Sequence, residues 1–62
     1  MRYEIEERVM IDASHKTGTI LNILRDEYSS RHDLLRIKID GDLPVKEDHH
    51  ACEVTRIKVA HE

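Results

Sequence analysis

The sequence predicts a small α+β domain in which one amphipathic helix covers a three-stranded sheet. Three observations lead to this fold class: a helical period over residues 17–28, alternation of apolar and polar residues on both sides of it, and a length of 62 residues. A chain of this length has room for one domain. We therefore expect residues 1–62 to form a single β-α-β-β unit.

The predicted helix covers residues 17–28. Thr17 is its expected N-cap, and Ser14 is an alternative, since either hydroxyl can accept a hydrogen bond from a free N–H of the first turn. The apolar stripe at helical spacing consists of Ile20, Leu21, Leu24 and Tyr28. We expect this stripe to face the sheet.

Three strands are predicted from a period of two. The first covers residues 2–12, where Glu7 interrupts the apolar side and indicates a bulge or a strand edge. The second covers 35–40, and the third runs from about 51 to 60, with a bulge near Thr55 and Arg56. Residues 41–49 are predicted to be a loop, because Asp40-Gly41 is a turn signal and Pro44 cannot donate to a β-ladder.

Charges predict the strand order 1-3-2. The polar side of the first strand carries Glu4 and Glu6, and that of the third carries Arg56 and Lys58, so neighbouring positions give favourable cross-strand pairs. In this arrangement one helix covers one face of the sheet, and both outer strands keep unpaired backbone groups. A second copy would shield both, so we expect a homodimer.

Composition excludes several functions. Ten basic against thirteen acidic residues give a net charge of −3, which argues against a dedicated nucleic-acid binder. Cys52 is the single cysteine, so it cannot form an internal disulfide. No segment has the pattern of a secretory signal or the length of a membrane span. We expect a cytoplasmic protein without a cofactor.

A polar run before the predicted helix is the first candidate site. Free N–H groups and the positive end of the helix dipole favour an anion there, and Lys16 adds charge. Ordinary capping with solvated side chains is the commoner role of such residues, because every helix N-terminus has this potential. The members of this predicted anion site are Ser14, His15, Lys16, Thr17, Gly18 and Thr19.

The run IDASHKTGTILNIL, residues 11–24, resembles the first strand-to-helix junction of ACT-type regulatory domains. Those domains have a glycine at the start of the first helix, then apolar residues, and a βαββαβ order. The resemblance implies a dimer that binds a small ligand, often an amino acid, near residues 12–19.

Histidines and the cysteine suggest a metal-binding alternative. His50 and Cys52 are two apart on a predicted strand and would share a face, with His49 beside them. Zinc or copper accepts such ligands. No spacing in the chain matches a recognised zinc pattern, so the sequence predicts no definite metal site.

The third candidate site is a basic surface on the open side of the sheet. Its predicted members are Arg36, Lys38, Arg56 and Lys58. Interleaved aromatic residues for base stacking are missing from this set, which favours a solvated face, or one partly used in self-association, over a nucleic-acid site. Since no nucleophile, base and orienting group share a recognised spacing, we expect no enzyme. The sequence thus favours a non-enzymatic module that acts as a homo-oligomer or as an adaptor to a protein partner. An ACT-like sensor and a His50/Cys52 metal binder are the alternatives.

Overall fold

The computed structural model describes residues 2–57 and shows one antiparallel sheet of five strands. In chain order these are β1 (Arg8–Ile11), β2 (Thr17–Leu24), β3 (Leu34–Ile39), β4 (Val45–His50) and β5 (Val54–Arg56). Across the sheet their order is β4-β3-β2-β1-β5. The helical segments of residues 2–57 are two 3₁₀ turns, Ser30–His32 and Ala51–Glu53, and neither is long and apolar enough to cross a membrane. The predicted α+β class with a three-stranded sheet is therefore wrong.

The segment predicted as a helix is β2, the central strand. Gly18 and Ile20 are buried while Thr17 and Thr19 are half-exposed, which is the alternation of a strand. A β-bulge between Ile20 and Asn22 then inserts one residue and shifts the phase. This shift places apolar residues at the spacings of a helical stripe. Of that predicted stripe only Ile20 is buried, whereas Leu21, Leu24 and Tyr28 are exposed.

Gly18 lies at a point of β2 where β3 leaves no room for a side chain. A Cβ atom at this position would lie 2.5 Å from the carbonyl oxygen of Lys38 and 2.6 Å from Cγ2 of Ile37. In register, Gly18 stands between Ile39 of β3 and Val9 of β1. The glycine therefore allows close contact inside the sheet and does not begin a helix.

Residues 45–50 form strand β4, so the loop predicted over 41–49 is wrong after Pro44. The proline precedes the strand, where its missing N–H breaks no ladder. β4 pairs with β3 from His50 opposite Leu34 to Val45 opposite Ile39. Both faces of β4 are mostly polar, and a strand of that kind carries no hydrophobic alternation for sequence analysis to detect.

The predicted first and third strands are each shorter than expected. Within residues 2–12 only Arg8–Ile11 form a strand. Within 51–60, Ala51–Glu53 form a 3₁₀ turn and Val54–Arg56 form β5, while 58–60 lie outside the described residues. The register of β5 with β1 is unbroken over Val54–Arg56, so the bulge predicted near Thr55 and Arg56 is wrong. β5 does pair with β1, but it lies at the sheet edge, so the order 1-3-2 is wrong.

The connection between β4 and β5 forces the sheet to curl. These strands lie at opposite edges, so a flat sheet would separate them by four strand spacings, about 19 Å. Only the turn Ala51–Glu53 joins them, and the four Cα–Cα steps from His50 to Val54 span at most about 15 Å. The two edges therefore approach each other at this end, and the sheet encloses its own concave face.

The core fills this concave face. It is made of aliphatic side chains from β1, β2, β3 and β5 and from the turn between β4 and β5. Its buried members are Val9, Ile11, Ile20, Leu35, Ile37, Ile39, Ala51 and Val54, with Ile23 and Tyr3 packed against them. Strand β3, predicted from the alternation of Leu35, Ile37 and Ile39, is confirmed.

The N-terminal segment closes one end of the core. The Tyr3 hydroxyl donates to the Val54 carbonyl oxygen at 3.2 Å, and the Arg56 guanidinium stacks 4.7 Å from the centre of the Tyr3 ring. Arg56 also forms an ion pair with Glu7, the residue that interrupts the apolar pattern before β1. These contacts hold residues 2–7 against β5.

Asp33 is the buried charged residue of the described structure, with 1% of its surface exposed. Its carboxylate accepts hydrogen bonds from the Asp26 N–H at 2.8 Å and from Arg25 Nη1 at 3.3 Å. Its carbonyl oxygen accepts the Ala51 N–H at 2.8 Å. The bond from Asp26, which outweighs desolvation, together with Arg25 and Arg2 holds the pKa of Asp33 below its ordinary 3.8. Asp33 thus ties the β2–β3 loop to the turn that closes the sheet.

Replacing Gly18 by alanine should have opposite effects on stability in a strand and in the predicted helix. In a helix the change would stabilise the fold by about 1 kcal/mol. In β2 the new methyl group overlaps Lys38 and Ile37, so Gly18→Ala should destabilise by about 1–3 kcal/mol. Urea unfolding followed by circular dichroism measures this. The control is Asn22→Ala, at an exposed position of the same strand. A Gly18→Ala variant at least as stable as wild type would contradict the packing described here.

Replacing Asp33 by asparagine should lower the free energy of unfolding at neutral pH. It should also make that free energy less dependent on pH in the acid range. Because the native pKa lies below the ordinary 3.8, the unfolded chain binds more protons between these two values. The contribution of Asp33 to the free energy of unfolding is therefore fully present above pH 3.8 and is lost as the pH falls through the native pKa. Urea titrations across this acid range measure the effect. Asp42→Asn, at an exposed position, controls for the lost charge, and equal changes in both variants would refute the role of Asp33.

Candidate functional site

The solvent-facing side of β2, β3 and β4 is the candidate functional site. Directly opposed residues of antiparallel strands share a face, so the register puts Asn22 and Asp48 on the same side as Arg36. We call this surface the outer face. Its members are Thr19, Asn22, Leu24, Leu34, Arg36, Lys38, Lys46, Asp48 and His50.

An apolar pair lies at one end of the outer face. Leu24 and Leu34 oppose each other in register, and Leu24 is 70% exposed. Together with Asn22, Arg36 and other neighbours they line a depression of about 240 Å³. Two large aliphatic side chains paired on the solvent side of a sheet gain free energy when another surface covers them.

An ion pair borders this depression. Arg36 donates from Nε to Oδ1 of Asp48 at 3.1 Å and from Nη2 to Oδ2 at 3.4 Å. This hydrogen bonding lowers the pKa of Asp48 and raises that of Arg36. The two charges neutralise each other, so this rim is polar without a net charge.

Two lysines face each other farther along the outer face. Lys38 and Lys46 are directly opposed in register, an arrangement in which like charges repel. Among residues 2–57, no carboxylate oxygen lies within 4.0 Å of either ammonium group. This lysine pair therefore gives the outer face a local positive charge that the described residues do not neutralise.

A charged cluster connects the far end of β3 to the β1–β2 hairpin. Arg8 Nη1 donates to Oδ1 of Asp40 at 2.7 Å, and the Thr17 hydroxyl donates to Oδ2 at 2.7 Å. The hydrogen bonds from Arg8 and then Thr17 hold the pKa of Asp40 well below its ordinary range. The cluster joins three strands, and its charged groups are already paired with each other. It therefore marks one end of the outer face and adds no unpaired charge to it.

The structure separates the four residues predicted as a basic surface. Arg36 and Lys38 lie on the outer face of β3. Arg56 is opposite the buried Val9 in register and is paired with Glu7, so it lies on the other side of the sheet. Lys58 lies outside the described residues.

The residues predicted to bind an anion lie in and after the β1–β2 hairpin, and no helix begins there. His15 has a left-handed backbone with φ 61°, and its N–H closes the turn by donating to the Ile11 carbonyl oxygen at 2.8 Å. Ser14 accepts the Lys16 N–H, and the Lys16 ammonium lies 3.6 Å from Glu47. Thr17, Gly18 and Thr19 belong to β2. The helix dipole that motivated this site, and the strand-to-helix junction on which the ACT resemblance rested, are absent from the described residues.

The three candidate metal ligands do not converge. His49 and His50 are neighbours on β4 and therefore point to opposite faces. His49 Nε2 is 2.9 Å from Oε1 of Glu47, and Cys52 is exposed in a 3₁₀ turn. Within residues 2–57, no group of three or more potential ligands is placed to hold a metal ion.

Two larger clefts adjoin the core ends. One of about 690 Å³ lies beside the N-terminal segment, and its three arginines all make contacts within the chain. The other, of about 500 Å³, lies beside the β3–β4 connection and includes Leu43, which is 73% exposed. Neither cleft is lined by two leucines that oppose each other across neighbouring strands, as the outer face is.

Sequence reasoning missed the apolar part of the site because it assigned Leu24 to the core-facing side of a helix. The signal was present in the residue types. Thr17, Thr19, Ile20 and Ile23 are β-branched and favour a strand. A strand interpretation with one bulge would place Leu24 on the solvent side.

Comparisons with known proteins add no assignment to this geometry. The sequence matches no protein-family model, and no curated protein and no solved structure is significantly similar to it.

Proposed function

We propose that this protein is a small non-enzymatic module that acts by association and uses its outer face as the contact surface. The observation that carries the proposal is Leu24, which is 70% exposed and opposed to Leu34 on the solvent side of the sheet. The expected occupant is a second copy of the chain, because a 62-residue domain without a disulfide gains most from oligomerisation.

The reason for expecting association differs from the one the sequence suggested. An open sheet half-covered by one helix would need a partner to shield its second face. The curled sheet instead covers its own concave side, where the core lies. The support for association comes from the convex side, where Leu24 is exposed beside the half-buried Leu34.

The size of the apolar contribution is modest. Covering one leucine side chain fully contributes about 1.5–3 kcal/mol, and a symmetric contact uses each leucine twice. Association also costs translational and side-chain freedom, so these leucines alone cannot give tight binding. Arg36 beside them is of a residue type enriched at the centre of interfaces, and its ion pair with Asp48 is already formed. A weak or moderate, concentration-dependent complex is expected.

Placing a charge in the depression should dissociate the complex. Leu24→Asp puts an uncompensated carboxylate where the partner's apolar surface would lie, so the variant should be monomeric at concentrations where wild type associates. Sedimentation or light scattering over a concentration series measures this. Leu43→Asp is the matched control, since Leu43 is equally exposed, at 73%, but lies outside the outer face.

Two outcomes would contradict the proposal. One is a wild-type chain that stays monomeric at its highest soluble concentration. The other is equal loss of association in Leu24→Asp and Leu43→Asp, because the contact would then not be specific to the outer face. Thermal melts of both variants exclude unfolding as the cause.

A further inference from the structure

We propose that the second copy docks with a two-fold axis through the Leu24–Leu34 pair, so that the lysine pair of one copy meets Glu27 of the other. This inference rests on the proposed function and specifies its geometry. It follows from the order of residues along the β2–β3 hairpin. The Leu24–Leu34 pair lies between the lysine pair on one side and the loop with Glu27 on the other.

The lysines and the acidic residue lie on opposite sides of the apolar pair. Lys38 is four residues beyond Leu34 along β3, or about 13 Å at the rise of a strand. Glu27 is three residues beyond Leu24 in the other direction, in the loop after β2, and lies at most about 11 Å away. Both residues therefore lie within about 13 Å of the apolar pair, and the loop with Glu27 follows the end of β2 that points away from Lys38.

A two-fold axis exchanges these two sides. In an isologous contact, if residue i of one copy touches residue j of the other, then j also touches i. An axis through Leu24 and Leu34 places each apolar pair on its counterpart. It also carries the lysine pair of each copy towards the β2–β3 loop of the other, giving two equivalent charged contacts on either side of an apolar centre.

Glu27 is the acid in this loop that is available for a partner. The Asp26 carboxylate accepts hydrogen bonds from the N–H groups of Tyr28 and Ser29, both at 2.9 Å, and that of Asp33 is buried. Glu27 is exposed, and it forms no ion pair with another described residue. Because Lys38 and Lys46 repel each other within one copy, an acid from a partner would relieve a cost that the monomer carries.

A second copy fits this surface better than continuation of the sheet through an edge strand. The edge strand β4 is polar and charged along its length, with Lys46, Glu47, Asp48 and two histidines, which opposes strand addition. The outer face, by contrast, contains an apolar centre and the lysine pair, and Glu27 lies in the loop that follows β2. A foreign acidic partner would use the lysines but would leave Glu27 without a role.

Charge reversal tests the orientation. Lys38→Glu and Glu27→Lys should each weaken dimerisation roughly tenfold, since two attractive contacts become repulsive ones. The double variant Lys38→Glu/Glu27→Lys should restore the wild-type dissociation constant. Glu4→Lys, a reversal at an exposed position outside the outer face, should leave it unchanged. Sedimentation equilibrium at low ionic strength is the measurement, and added salt should reduce all of these differences.

A stability measurement separates this effect from misfolding. Lys38→Glu removes the repulsion from Lys46 within each copy, so the melting temperature of the dilute monomer should rise while dimerisation weakens. If wild type dimerises and Leu24→Asp prevents it but the double charge variant stays weak, the two-fold orientation is overturned while the proposed function stands. If wild type never dimerises, both fail. Association of wild type only with an acidic protein, unaffected by Glu27→Lys, also overturns the second-copy geometry.

Discussion

The fold depends on a short connection between two strands at opposite edges of one sheet. Ala51–Glu53 is too short to cross a flat five-stranded sheet, so the sheet must curl until β4 and β5 approach each other. Curling brings the inward-facing side chains of β1, β2, β3 and β5 together into one core. The chain thereby buries an apolar face without a second layer, which a domain of 62 residues has little material to build.

Gly18 and Asp33 have structural roles in this curled sheet. Gly18 lets the backbones of β2 and β3 pack at a distance that leaves no room for a Cβ atom. Asp33 joins the β2–β3 loop to the closing turn through its carboxylate and its carbonyl oxygen. The hydrogen bond from the Asp26 N–H lowers the pKa of Asp33 against the effect of burial, and this lowered pKa makes the fold sensitive to acid. The polarity of β4 fits the same arrangement, since its exposed edge resists pairing with another strand. Association is left to the convex side, where Leu24 and Leu34 lie between the lysine pair and the β2–β3 loop.

Much of β3 and part of the candidate site could be predicted from the sequence. Leu35, Ile37 and Ile39 alternate with Arg36 and Lys38 without interruption, so both the buried side and the two exposed basic residues of this strand were identified. In β2 the alternation is interrupted, because a single bulged residue after Ile20 turned a period of two into an apparent helical stripe. Leu24 was consequently assigned to the core and not to the surface.

The sequence by itself determined the alternation of β3, with its buried apolar side and the exposed positions of Arg36 and Lys38. Tertiary structure decided that β2 is a strand, that β4 exists at all, and that Arg56 and Arg36 lie on different sides of the sheet. The physical reason is that a hydrophobic period reports only which side chains of one segment share a face. A bulge, a polar edge strand and the curl of the sheet depend on hydrogen bonds and contacts with segments far away in the chain.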